Sequence, residues 1–213
     1  MAQQSQRHWK QNPEAVRADI LRVATEEFAR AGLAGARMDE IAARTRTSKR
    51  MIYYYFGDKE GLYRAVLEQA YRDMRMGEQE LALDDLPPEA ALRKLVVYSF
   101  EHHWRNSGFI RLVMTENMHE GAYMQVSDEI QELNRSAIER VREVYERGVA
   151  TGVFREGLDP LQLHWIISGL SFFNRSNRAT FGLIFGASLF TAEGQQSLCD
   201  EVVEVVLRYV LAR

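Results

Sequence analysis

Apolar positions recur along this chain at helical spacing. In PEAVRADILRVATEEFARAG, Val16, Ile20, Ala24 and Phe28 form an i, i+4 row that Gly32 brings to an end, which predicts a first helix. A second, shorter helix is expected through MDEIAART, with Ile41 and Ala42 facing inward. A third should begin at Ser48 and a fourth at Asp58, each of which offers a side-chain oxygen as an N-cap. From residue 58 the periodic stretches lengthen. DKEGLYRAVLEQAYRDMRMGEQEL repeats Leu62, Val66 and Ala70 on one side, and PPEAALRKLVVYSFEHHW aligns Leu92, Val96, Phe100 and Trp104. Further helices are expected in FIRLVMTENM, in SDEIQELNRSAIERVREVYERGVATG, over 159–173 and over 195–212, the last with Leu198, Val202, Val206 and Tyr209 on one face. All four prolines, Pro13, Pro87, Pro88 and Pro160, sit where a helix could start. No alternating strand pattern or 20–50-residue repeat competes with this reading. The expected fold is all-α, a three-helix head followed by a larger helical body.

Three ranges follow: an arm over 1–13, a head over 14–60 and a body over 61–213. Charge supports the division. Residues 1–60 hold 11 Lys and Arg against 8 Asp and Glu, whereas the rest holds 16 against 22. A basic head on an acidic body suggests a polyanionic partner for the head. The polar start MAQQSQRHWKQNP lacks a signal-peptide core, and no apolar run approaches the ~20 residues of a membrane span, so a cytosolic protein without a membrane partner is expected. The single cysteine, Cys199, excludes an intrachain disulfide framework.

The second and third helices, joined by RTRTS, have the spacing of a helix-turn-helix. If Ile52 and Phe56 pack inward, then Lys49, Arg50, Tyr53 and Tyr54 cannot all be core, and several must project. Lys49 and Arg50 fall on the first turn, where a recognition helix reads base edges in the major groove. Tyr53 and Tyr54 can donate hydroxyls to phosphates while their rings pack on sugars, and Lys59 adds a cation beside them. Tyr55 is expected to turn back toward the core. The bland alternative makes the tyrosines half-buried core and the bases a solvated face.

MDEIAARTRTSKRMIYYYFGDKEGLYRAV resembles the DNA-binding domain of the tetracycline-repressor (TetR) family of bacterial transcription regulators. The resemblance rests on Ile41-Ala42, Ser48, the Tyr53–Phe56 block, Lys59 with Leu62, and the earlier Phe28 and Gly32. It covers about residues 14–66, and the helical body suits the family over the rest. It implies a homodimeric repressor or activator that binds a palindromic double-stranded operator and whose body takes a small-molecule effector. Two departures stand out. Thr45-Arg46-Thr47 replaces the family's usual Ala-Gly-Val before the serine, which asks Arg46 to accept a turn geometry that would be costly if left-handed. Arg37 stands where the second helix usually has a Ser or Thr cap. The expected DNA contacts are therefore Arg37, Arg46, Thr47, Ser48, Lys49, Arg50, Tyr53, Tyr54 and Lys59. The arm, with Arg7, His8 and Lys10, could enter a minor groove or be an inert terminus.

The resemblance places dimerisation on helices 159–173 and 195–212, whose apolar faces are broad enough for an isologous interface. SFFNRSNRATFGLIFGASLF, 171–190, with Asn174, Asn177 and Arg178, is similar to a subset of the family that includes pyrimidine-sensing and nicotinate-pathway repressors. It would close that interface or form a wall of the effector pocket. Pocket candidates among the middle helices are Phe100, His103, Trp104, Phe109, Met114, Met118, Trp165 and Phe172, with His103 or His164 as an orienting group. Such a stripe equally suits ordinary core. Effector binding would shift the fourth helix and with it the separation of two DNA-reading heads.

Catalytic signatures are missing. There is no H-E-x-x-H, no G-x-S-x-G and no G-x-x-x-x-G-K. Adjacent His102 and His103 point about 100° apart on a helix and chelate a metal poorly. No cofactor, metal or catalytic residue is expected. The competing classes are a helical enzyme and a protein-interaction module without specific DNA binding.

Overall fold

The computed structural model describes residues 12–212, so the arm's Arg7, His8 and Lys10 lie outside the described residues. Among the described residues ten α-helices follow in order: α1 (Pro13–Gly35), α2 (Met38–Arg44), α3 (Lys49–Phe56), α4 (Lys59–Gln79), α5 (Pro88–Arg105), α6 (Ser107–Met118), α7 (Asp128–Ala150), α8 (Pro160–Ser176), α9 (Arg178–Phe185) and α10 (Ala192–Val210). A short 3-10 turn, Ser188–Phe190, precedes α10. Among the described residues, β pairing is limited to one bridge between Phe154 and Leu211. The chain forms two compact units, one of residues up to Tyr71 with Arg111–Ile130, the other of Arg72–Ile110 with the residues from Gln131 on.

In the first unit the helix ends sit where the cap chemistry puts them. The Asn12 side chain accepts from the Ala15 amide at 3.1 Å, with Pro13 in the first turn of α1. Val16, Ile20, Ala24 and Phe28 are all buried. Gly32 leaves helical geometry at φ +67°, a conformation glycine adopts without a Cβ penalty. α1 packs on α2 and α2 on α3, bringing Ile41 and Ile52 to full burial while Ala42 is half-buried. Tyr63 of α4 is wholly buried and meets Phe28 edge-on at 5.1 Å between ring centroids. An electrostatic clamp locks α1 to α2. Glu27, 1% exposed, binds Arg30 at 2.7 Å, and Arg44 reaches both Glu26 and Glu27. Burial pushes the Glu27 carboxyl up, but hydrogen bonding and charge from Arg30, together with hydrogen bonds to Glu40 and the Arg37 backbone, outweigh it, and the net shift is downward.

The second unit has a core built from α5, α8 and α10. Leu92, Val96 and Phe100 meet Leu163, Ile167, Val202, Val203, Val206 and Leu207 in one apolar cluster. Burying a side chain of this size removes roughly 1.5–3 kcal/mol of exposed apolar cost each. A polar pair lies among these apolar helices: Asn174 and Gln195 exchange amide hydrogen bonds of 2.8 and 3.1 Å, buried between α8 and α10. Satisfied on both sides, the pair fixes how the two helices register. Gly77 makes room for Tyr98, whose hydroxyl would lie 2.2 Å from an added Cβ, and that hydroxyl donates to the Met74 carbonyl at 2.7 Å.

The structure answers two points that the sequence leaves open. Arg46 does not adopt a left-handed backbone, since Ala82 and Glu120 are the non-glycine residues with positive φ among those described. The turn instead tucks the Arg46 amide onto Asp19 of α1, 3.2 Å away, which removes any need for glycine there. Within 171–190, α8 runs on to Ser176 and α9 follows at once, a helix that the apolar spacing does not predict.

Candidate functional site

The outward face of α3 is set by its inward one. Ser48 accepts from the Met51 amide at 3.3 Å and fixes the start of the helix. Ile52, fully buried, anchors it. Phe56 is half-buried beneath the Arg17 guanidinium, 5.4 Å from the ring centroid. With those positions committed, Tyr54 stands 77% exposed and Tyr53 39%, with Arg50 exposed beside them. Tyr55 is half-buried and braces Tyr54 edge-on at 5.4 Å.

The cations differ in their freedom. Lys49 holds Asp39 of α2 at 2.8 Å, a contact that raises its pKa mainly through that hydrogen bond. Lys59 turns its ammonium to the Ala34 carbonyl at 3.3 Å and is half-buried. Arg37 and Arg46 are exposed, Thr47 half-buried, and the Arg37 side chain makes no capping bond at the start of α2. The structure therefore brings Ser48, Lys49, Arg50, Tyr53 and Tyr54 together on one helix, with Arg46 and Thr47 in the turn before it.

The pocket candidates are distributed differently. His103, Phe109 and Phe172 meet, with His103 5.8 Å from Phe109 and 6.5 Å from Phe172 between ring centroids. Phe100 belongs to the apolar core. Trp104 stacks on Phe190 at 6.3 Å, with Arg175 and Arg178 5.2 and 5.5 Å from its ring centroid. Trp165 is 74% exposed on α8. Met114 and Met118 are exposed and belong to the first unit.

Around His103 the surroundings are polar as well as aromatic. His102 lies 6.0 Å from His103, 5.7 Å from Tyr98 and 5.6 Å from Phe109 between centroids. His103 Nδ1 is 2.6 Å from the Ser99 carbonyl, and His164 Nε2 is 3.2 Å from the Ser168 hydroxyl. Desolvation lowers all three imidazoles to about 4, with the Arg75 charge adding to the shift in each. They are neutral at pH 7. Arg75 was missed in the sequence because its neighbours on α4 are charged and look like a solvated face. Among the described residues, no group of His, Cys, Asp and Glu is arranged to hold a metal ion.

A short helix capped by serine, packed on its predecessor across a tight turn and presenting bases and phenols outward, defines a helix-turn-helix DNA-binding protein. Comparison with known proteins agrees. Residues 20–66 match the family model for bacterial regulatory proteins of the tetR family, and residues 88–206 match the tetracyclin repressor-like C-terminal domain. The chain is 32% identical over 198 residues to the HTH-type transcriptional repressor NicS of Pseudomonas putida, covering 93% of each protein. It is 37% identical over 141 residues to the HTH-type transcriptional repressor SCO4008 of Streptomyces coelicolor, covering 66% of this chain and 70% of that one. In fold it is similar to a tetR-family regulatory protein from Rhodococcus RHA1, with a TM-score of 0.72 at 21% identity over 93% of this chain and 98% of that one.

The chain belongs to the TetR family. It is a DNA-binding transcriptional regulator rather than an enzyme, and regulators of this family bind operator DNA and small-molecule effectors and act as dimers. No described helix is long and apolar enough to cross a membrane.

Proposed function

We propose that this protein is a cytoplasmic homodimeric repressor that holds a palindromic operator and leaves it when a small molecule binds. The observation behind the DNA-reading half is the face of α3, where Lys49, Arg50, Tyr53 and Tyr54 stand outward above a fully buried Ile52. In this reading residues 14–60 form the reading head and 61–213 the effector and dimerisation body. Lys49 and Arg50 address base edges, which requires Lys49 to exchange Asp39 for a purine acceptor. Tyr53, Tyr54, Arg46 and Arg37 address phosphates, Thr47 and Ser48 lie at the helix start, and Lys59 supports the backbone contact from α4.

One such helix reads only a few base pairs, so a second copy is needed for a specific site. Exposed apolar side chains on α8 and α9 support pairing there: Leu161, Trp165, Phe173, Leu183 and Phe185 are all more than half exposed. The naming of the relatives as repressors favours release over activation. An effector acts by preferring one spacing of the two heads, since a ligand of equal affinity for both spacings shifts nothing. Selection of the full-length protein against a random duplex library at stated salt tests the reading. A palindrome with half-sites roughly 34–36 Å apart is expected. Enrichment of no sequence, or of a single unrepeated half-site, would contradict it.

A further inference from the structure

The aromatic group around His102 and His103 contains more hydrogen-bonding capacity than its neighbours use. Arg75, 4% exposed, gives one terminal nitrogen to Glu78 at 2.5 Å and the other to Asn134 at 3.0 Å. Its Nε is buried without a partner, as is Nδ1 of His102. A buried guanidinium N–H can only donate, so what satisfies it must bring an oxygen or another acceptor. On its other side Arg75, with Glu78, borders a charged cleft of about 620 Å³ lined also by Glu132, Arg135, Glu139, Arg140 and Glu143.

We infer, building on the effector-released reading above, that Arg75, His102, His103 and His164 form the polar end of the effector site, and that the effector is an organic carboxylate with a flat apolar body. Phe109, Phe172 and Tyr98 provide ring surfaces for that body. The carboxylate accepts from Arg75 Nε and from an imidazole.

Charge balance selects the anion. Glu78 already neutralises Arg75, so an added carboxylate in this buried place needs a further positive charge. Burial keeps three imidazoles neutral here, with the Arg75 charge adding to the effect, and an entering carboxylate is the partner that would let one of them take up a proton. An ammonium ligand would instead face a donor-only guanidinium, and a neutral amide would leave the proton-accepting capacity unused.

Calorimetric titration of the full-length protein with benzoate, phenylacetate and cinnamate, each beside its primary amide and its amine counterpart, tests this. At least one acid is expected to bind about tenfold or more tightly than its amide, with proton uptake seen as a dependence of the heat on buffer. Arg75→Gln should abolish the acid preference; if that variant does not fold by circular dichroism, His102→Phe carries the same test. Binding of no acid, equal binding of acid and amide, or an acid preference unchanged in the variant would overturn the assignment. Operator release is followed separately by gel shift. Release by a non-carboxylate alone ends the carboxylate assignment and leaves the regulator reading standing. Acid-selective binding with no operator recognised by the protein supports the site and removes the regulator.

Discussion

Two helices of equal length, α3 and α9, make opposite use of their eight residues. α3 buries Ile52 completely and turns lysine, arginine and two phenols outward. α9 has no buried residue at all, and its Leu183 is 88% exposed with Ile184 and Phe185 close behind. An exposed phenol or guanidinium is satisfied by water and ready to exchange it for a phosphate oxygen. An exposed leucine-isoleucine-phenylalanine run has no such alternative and gains only by meeting another apolar surface. In the proposed reading the same chain has one short helix shaped for a polyanion and one shaped for hydrocarbon, and the second copy that a palindromic operator would demand is the partner proposed for the latter.

The contrast can be broken most directly at α9. Leu183→Asp combined with Phe185→Asp should weaken self-association by on the order of a thousandfold, because two apolar anchors are lost and two charges must be desolvated. Sedimentation velocity at micromolar concentration would show monomer in place of dimer, and retention of the dimer would remove α9 from the interface. Salt separates the two helices next. Between 50 and 200 mM salt, operator affinity should fall by about a hundredfold through counterion rebinding, whereas the dimer constant should hold or tighten. A parallel loss of both would mean that the dimer contact is itself electrostatic. The smallest effect is expected from Asp39→Asn, which releases Lys49 from its ion pair on α2. Fluorescence anisotropy should report DNA binding strengthened by a few-fold, in line with the modest worth of an exposed pair. A weakened complex would show that Asp39 instead positions Lys49 for the operator.

How far the sequence disclosed this depends on the kind of residue involved. α3 was legible because its signals are local: a serine cap, an inward pair Ile52 and Phe56, and a family pattern that repeats them. The prolines marked the starts of α1, α5 and α8 for the same reason, since a fixed φ and a missing N–H act on the chain itself. α9 was not legible as a helix, because RATFGLIF is apolar without period and leaves no polar face to read. Buried polar groups were the other blind spot. Glu27, Arg75 and the Asn174–Gln195 pair look like solvated positions on charged or mixed stretches, and only tertiary packing reveals that they are enclosed. Of the pocket candidates, His103, Phe109 and Phe172 meet in the structure, whereas Arg75, which the proposed effector site adds to them, is seen to be buried only in three dimensions.

The proposal that α3 reads base edges is tested most directly by the base-preference profile of Lys49→Ala beside that of the native protein, selected from one duplex library at one salt concentration. A relaxed preference confined to one symmetric pair of operator positions, worth about 1–3 kcal/mol at each, is the expected result. An unchanged profile, or a uniform loss at every position, would contradict it.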